Sequence, residues 1–317
     1  MPSLARRDFL KNLAGAAAVL SSGLMQAFPA TAVAAKRFKL GAISDGFSLD
    51  FEQALTLMKG YGLEWVEIRN VWGKYNTEAT PDEIRRIKQL LGHHGFRVSV
   101  VDTALYKCAL PGTKPVSESK DIYPYAGQMD LLKRAAERAH AWGTDKLRIF
   151  AFWRVADPQA IMPRVVEELD KAGEAARAAG VRLVIEDEET TNGGTAHELA
   201  RMIKAVKSPN IGVNWDVGNG YEQGEVSFPD GYNVLPKDRI WHLHVKGMAC
   251  DSPGKNCREA FADQGVIDLA GQIRTLHHDH YTGTMSLECE FQAPGMSHQQ
   301  TTQRSMEGLL KVLATAA

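Results

Sequence analysis

The sequence has no excess of charge of either sign: 37 Lys and Arg stand against 38 Asp and Glu, a formal net charge of −1 with its 10 His neutral. Beyond residue 40 it has no run of Lys or Arg either, so neither nucleic acid nor an anionic membrane is an expected partner. Cysteine is scarce. Cys108, Cys250, Cys257 and Cys289 show no C-x-x-C or Cys/His spacing, which argues against a zinc finger. No Gly-x-Gly-x-x-Gly follows the first expected strand, which lowers the case for dinucleotide binding. The apolar run Leu13–Leu24 is short and rich in Gly, Ala and Ser, a poor membrane span. What is present is ordinary for a soluble protein. Its 317 residues, 44% hydrophobic and 24% charged, suffice for a large core and, in an α/β barrel, for one domain.

The first 34 residues stand apart from the rest. Arg6-Arg7-Asp8-Phe9-Leu10-Lys11 precedes the apolar run, and Ala30-Thr31-Ala32 or Ala32-Val33-Ala34 offers a small-residue cleavage site. That order is the order of a signal peptide, and the paired arginines resemble the twin-arginine signal. The resemblance implies export of a folded protein by the twin-arginine machinery, to the periplasm or beyond, with no stable membrane anchor. An oxidising compartment would permit a bridge between Cys250 and Cys257, which lie in one loop.

From Phe38 on, β-branched runs alternate with helical patterns. Strands are expected at Phe38–Ser44, Trp65–Val71, Arg97–Thr103, Lys146–Phe152, Val181–Glu186, Ile211–Asp216, Ile240–Val245 and Thr284–Glu290. Helices are expected between nearly all of them, one opened by Thr80-Pro81-Asp82-Glu83 with Pro in its first position. The weakest unit is Gly218–Asp238, which reads as a long loop. Eight strand–helix units over residues 35–317 predict a single-domain (β/α)₈ TIM barrel.

The active site of such a barrel lies at the carboxyl ends of its strands. Four successive ends carry metal-ligand chemistry: Ile185-Glu186-Asp187-Glu188, Asn214-Trp215-Asp216-Val217-Gly218-Asn219, His242-Leu243-His244-Val245-Lys246 and Leu287-Glu288-Cys289-Glu290. The gaps from Glu186 to Asp216 and from Asp216 to His244 each hold one crossover unit, so neighbouring strands can present these side chains at similar height. Side chains alternate along a strand, so His242 and His244 share a face, and one of the two is expected to reach a metal. Three carboxylates converging with one imidazole would repel unless a cation or a proton neutralised them. This oxygen-rich set favours Mn²⁺ first, then Mg²⁺ or Co²⁺, with Zn²⁺ also compatible.

These four segments resemble the sugar phosphate isomerase/epimerase superfamily with the xylose isomerase-like TIM barrel, which also holds ketose 3-epimerases, hydroxypyruvate isomerases and inosose dehydratases. The similarity spans nearly the whole chain after the leader. It implies that Glu186, Asp216, His244 and Glu288 hold a divalent ion. It also implies that Glu186 and Glu288, on opposite sides of a bound sugar, remove and return a proton through a metal-stabilised enediolate. His242, Lys246, Asn219 and Glu67 are candidates for contact with substrate oxygens. Gly247 stands where many relatives carry Asp, and Lys255, Arg258 and Glu259 in the following loop could also reach the sugar. An exported enzyme is expected to act on a free, oxidised or glycosidic sugar rather than a phosphorylated one.

A keto-sugar lyase or dehydratase would need the same residues, and a sugar-binding protein without turnover is a further alternative. A homo-oligomer is left open. His93-His94 reads as a solvated pair at a helix end, and His277-His278-Asp279-His280 lies on the face expected to point away from the site.

Overall fold

Eight apolar runs become eight strands: β1 (Lys39–Ala42), β2 (Trp65–Ile68), β3 (Arg97–Asp102), β4 (Lys146–Ile149), β5 (Arg182–Glu186), β6 (Ile211–Asp216), β7 (Ile240–Val245) and β8 (Thr284–Leu287). The computed structural model describes residues 38–117 and 120–316, and the proposed leader at 1–34 lies outside them. The strands form one sheet in the order β1-β8-β7-β6-β5-β4-β3-β2, every hydrogen-bonded neighbour parallel. The ends of that order meet through a parallel bridge between Ile43 and Glu67, which shuts the barrel. Gly41 permits the approach, because a Cβ there would lie 2.6 Å from the Trp65 carbonyl oxygen.

Helices pack around the staves. α1 (Phe51–Gly60), α2 (Pro81–His94), α3 (Gln128–Trp142), α4 (Pro158–Ala178) and α5 (Ala196–Ala205) follow β1 to β5. α2 begins as the sequence predicts: the Thr80 hydroxyl accepts from the Glu83 amide, the Glu83 carboxylate accepts from the Thr80 amide, and Pro81 opens the helix. After β6 the chain makes a short helix, α6 (Val217–Glu222), and then separate turns at Ser227–Gly231, Tyr232–Val234 and Lys237–Arg239. That stretch lacks one continuous amphipathic helix, as its composition indicates. α7 (Leu269–His278) and α8 (His298–Ala316) complete the ring. Among the described residues no helix is long and apolar enough to cross a membrane.

Several strands stop earlier than their apolar patterns. Beyond Ile149, the amides of Phe150, Phe152 and Trp153 bond to the carbonyls of Leu105, Tyr106 and Cys108, so this segment pairs with a loop instead of a strand. Beyond Leu287, the Glu288 amide keeps one bond to Val245 O before the chain leaves the ladder. After β2 the chain folds into a small hairpin, Asn70–Val71 against Lys74–Tyr75.

The alternation of side chains divides the barrel into two chemistries. Leu147, Ile149, Leu183, Ile185, Val213, Trp215, Leu243 and Met285 face outward into the apolar layer shared with Leu131, Leu169, Leu199, Ile273 and Leu309 of the helices. The other parity fills the interior with buried polar groups, among them Glu67, Asp102, Arg148, Glu186, Asn214, Asp216, His242 and His244. Burying so many ionisable groups is costly unless each is paired or meets an ion.

Candidate metal centre

The parallel register sets the heights of the site residues. Asp216 is level with His244, Glu186 with Asn214, and Ser286 with His244, so Glu288 projects from just past the end of β8. One ligand-type atom from each of Glu186, Asp216, His244 and Glu288 then lies within 4.8 Å of the other three. His244 Nδ1 is 2.8 Å from Glu186 Oε1, 3.1 Å from Glu288 Oε2 and 3.5 Å from Asp216 Oδ2. The other Asp216 oxygen caps α6 by accepting from the Gly218 and Asn219 amides, which fixes the free one toward the cluster.

The far side of the His244 ring explains why Nδ1 faces inward bare. His244 Nε2 lies 3.0 Å from Glu67 Oε1 and 3.1 Å from the Asn214 amide nitrogen. The other Glu67 oxygen is 2.7 Å from His242 Nε2, and His242 Nδ1 is 2.6 Å from the Thr284 hydroxyl. Glu67 therefore joins two imidazoles. Burial opposes its charge, yet His242 and His244 hold its carboxyl well below the usual range. Burial also opposes charge on His244, but Glu288, Glu67 and Glu186 together raise it well above an ordinary histidine. Burial keeps His242 lowered, with Glu67 only partly offsetting it. Glu67, His242 and His244 also form a compact triplet. Its atoms are already engaged with one another and with Thr284, which makes it a support rather than a second ion site.

Each glutamate of the cluster is held from behind by a guanidinium. Arg148 Nη1 lies 2.8 Å from Glu186 Oε2, and Arg69 Nη1 lies 3.1 Å from Glu288 Oε1. Burial works against both carboxylates, but Arg148 and His244 lower Glu186, and Lys246, His244 and Arg69 bring Glu288 well below the usual range. Arg69 also reaches Asp45 and Glu290. Neither arginine stood out in the sequence, although each shares strand parity with an inward group: Arg69 with Glu67, and Arg148 with the polar interior of β4.

Three buried atoms of the cluster have no hydrogen-bond partner: Asp216 Oδ2, His244 Nδ1 and Glu288 Oε2. The Lys246 ammonium is 2.9 Å from both oxygens, but outside hydrogen-bonding angles. Orphaned acceptors that converge on one point, with an imidazole nitrogen among them, fit a divalent cation. Two buried acids stand behind the cluster: Asp187, which the sequence motif includes without a role, and Asp102, which sequence reasoning passed over. Asp187 Oδ1 accepts from the Asp216 amide, and Asp102 lies 3.5 Å from Arg148 Nε.

Above the cluster opens a cavity of about 280 Å³. Lys246, Asn219 and Glu288 line it, so these three stand where the sequence places them. Glu67 and His242 do not. Both are fully buried with their polar atoms engaged by one another, by His244 and by Thr284; Glu186, Asp216 and His244 are also absent from the wall, which the cluster reaches through Glu288. Lys246 donates to Asn219 Oδ1 at 3.2 Å besides facing the two ligand carboxylates. In the following loop Glu259 reaches the wall, whereas Lys255 and Arg258 do not. Glu259 sits on a hairpin, Gly247–Ala249 against Arg258–Ala260, whose tip is closed by a Cys250–Cys257 disulfide. Cys108 and Cys289 are free and buried. Burial pushes the Glu259 carboxyl up to about 8, and burial with Glu188 pushes Glu189, another wall residue, up to about 7.

No curated protein matches the sequence. Among solved structures the chain is similar to a xylose isomerase-like TIM barrel protein from Mycobacterium smegmatis in complex with magnesium, at 18% identity and a TM-score of 0.61 over 84% of this chain and 89% of that one. It is similar to the IOLI protein with a bound zinc atom, at 14% identity and a TM-score of 0.69 over 88% and 99%. D-allulose 3-epimerase from Methylomonas sp. gives 16% identity and a TM-score of 0.65 over 87% and 98%. At these identities the likeness is one of fold. Residues 55–312 match the family model itself, and with eight parallel staves around an acidic, histidine-bearing centre, the chain belongs to the xylose isomerase-like TIM barrel family.

Proposed function

We propose that the protein is an exported, divalent-metal-dependent sugar isomerase or epimerase. The observation that carries this reading is the convergence of orphaned atoms from Asp216, His244 and Glu288, of which Glu288 reaches the cavity wall, with Arg148 behind Glu186 and Arg69 behind Glu288. Glu186, Asp216, His244 and Glu288 would hold the ion. When bound, it would polarise the carbonyl of a sugar and stabilise negative charge on its oxygens. Mn²⁺ is the ion we favour, since an oxygen-rich set with one imidazole suits a hard cation; the magnesium and zinc of the similar structures are the competing choices.

The chain's own groups do the proton work. Glu186 accepts the proton from the carbon beside the carbonyl, and Glu288 returns one from the other side. Arg148 holds Glu186 as the carboxylate that the first step needs, whereas Glu288, kept ionised by Lys246, His244 and Arg69, must take up a proton from water before it can return one. Lys246 and Asn219, at the wall, bind substrate hydroxyls. Glu67 and His242 act behind the site: they aim the His244 ring instead of touching sugar. Export is supported by the twin-arginine-like leader and by the Cys250–Cys257 bond, since disulfides persist outside reducing compartments.

A lyase acting on a keto-sugar remains the second reading, and Glu259 favours it. Its carboxyl, raised to about 8, keeps a proton at neutral pH beside the same cavity and can deliver it to a departing hydroxyl. The deciding experiment is metal analysis of the purified protein, then incubation with a panel of ketoses and aldoses in deuterated water. Deuterium at the carbon beside the carbonyl, with the sugar otherwise intact, supports the isomerase. An unsaturated keto product supports the lyase. Absence of both in metal-loaded protein rejects turnover of these sugars and favours a binding protein.

A further inference from the structure

The opposite end of the barrel holds a second and larger cavity, of about 550 Å³, around the first residues of the strands. The alternation that sends Arg148 and Glu186 into the interior also turns Lys146 and Arg182 inward, one layer or two below them, and these two are direct register partners. Lys39 enters from β1, level with Thr284. Three cations thus come together at one mouth, and Lys237 borders it from the turn before β7.

Carboxylates balance them only in part. Asp145 is the acid within reach of both Arg182 and Lys146, and it is committed to Arg182 at 2.7 Å while Lys146 Nζ is 3.5 Å away. Lys39 and Lys237 spend donors on main-chain carbonyls, Thr282 O and Leu235 O among them, which leave their charge intact. Two further acids border the cavity, Asp238 and Asp279. Asp238 is 83% exposed, and Asp279 accepts from the Tyr232 hydroxyl with its charge intact, so Asp145, Asp238 and Asp279 stand against the four cations Lys39, Lys146, Arg182 and Lys237.

Indole faces also hold two of the cations. The Arg182 guanidinium lies 4.8 Å from the Trp241 ring centroid, and Lys39 Nζ lies 5.9 Å from that of Trp65. Trp241 is turned to this position by an irregularity in the ladder. Val213 pairs with Ile240 and Asn214 with His242, which leaves Trp241 as an extra residue. Its ring then lies over Gly212, where a Cβ would be 2.5 Å from it. A π face holds a cation in place without neutralising it, and with four cations against three acids the mouth keeps a net positive charge. Burial, with Arg182 and Lys39 nearby, lowers Lys146 below an ordinary lysine, and Asp145 only partly opposes this.

We propose that this amino-terminal mouth binds a small oxyanion, a phosphate or carboxylate group, with Lys146 at the floor and Lys39 and Arg182 at the sides. The site is separate from the metal centre and does not depend on the isomerase reading. The two anion sources share this chemistry and are told apart by measurement.

The test is calorimetric titration of the full chain with inorganic phosphate and, in a separate arm, with citrate, at constant ionic strength. One saturable site is expected for at least one anion, and the arm that saturates names the source. Lys146→Met and Arg182→Met should each weaken it roughly tenfold or more, the scale of one charge-assisted hydrogen bond. Asp216→Asn, at the metal centre, should leave it unchanged. Lys39→Met changes an exposed side chain and serves should either inner variant fail to fold; it should weaken binding in the same direction. No saturable heat in either arm overturns the proposal. So does binding that survives Lys146→Met or Lys39→Met in folded protein, or binding that disappears with Asp216→Asn.

Discussion

Arg148 and Glu186 form a buried ion pair at 2.8 Å that uses the glutamate oxygen pointing away from the cluster. Arg148→Met should therefore do two things. It leaves Glu186 and Asp102 buried without their cation, so stability should fall by about 3–5 kcal/mol, read from denaturant unfolding. It should also let burial raise Glu186, so the acidic limb of the pH–rate profile moves to higher pH. A limb that stays in place would show that Arg148 is structural only.

Glu67 touches no ligand atom on the metal side of His244, yet Glu67→Gln should weaken metal binding about 10- to 100-fold. Isothermal titration with Mn²⁺ on the metal-free protein measures it. Wild-type affinity in the variant would remove Glu67 from the role of orienting the ring.

Metal binding should be linked to protons. Without an ion, the surrounding carboxylates favour the protonated His244 ring, and its pKa lies above the unfolded value. In the metal-free protein the resulting stability is full below the unfolded histidine pKa of about 6.5 and is lost as pH rises through the folded value. Loading requires the neutral ring, so it should release about one proton per ion and tighten as pH rises. An indicator dye in weak buffer reads the release. Uptake, or no change, contradicts this.

Direct loss of ligands gives the plainest comparison. His244→Ala and Asp216→Asn should lower metal content in elemental analysis. Glu186→Gln should retain part of the ion but slow solvent-deuterium exchange by about 10² or more. Full exchange in Glu186→Gln would place the base elsewhere.

Cys250→Ser should cost about 2 kcal/mol, the entropy of a short closed loop, and should loosen the wall that carries Glu259. Thermal unfolding with and without reductant separates the two: reductant should lower the wild-type midpoint and leave that of the variant unmoved.

The four-ligand cluster was legible in the sequence because each member ends a strand whose apolar run announces it, and because one crossover unit separates consecutive members. The Glu67 bridge was harder to see. Glu67 belongs to β2, across the barrel from β7, and only closure brings it to His242 and His244. Arg69 and Arg148 read as ordinary strand cations until the interior parity of their strands is known. Tip positions were overextended for the same reason that the site exists: after Ile149 and Leu287 the backbone leaves the ladder, and residue type alone does not report that departure.

The link between Ile43 and Glu67 is the clasp of the cylinder, and it is also where the hand that steers His244 is anchored. Closure of the ring is therefore expected to strengthen ion binding at the proposed centre. A chain cut between the first two staves and the rest would keep every coordinating residue and still be a poor chelator.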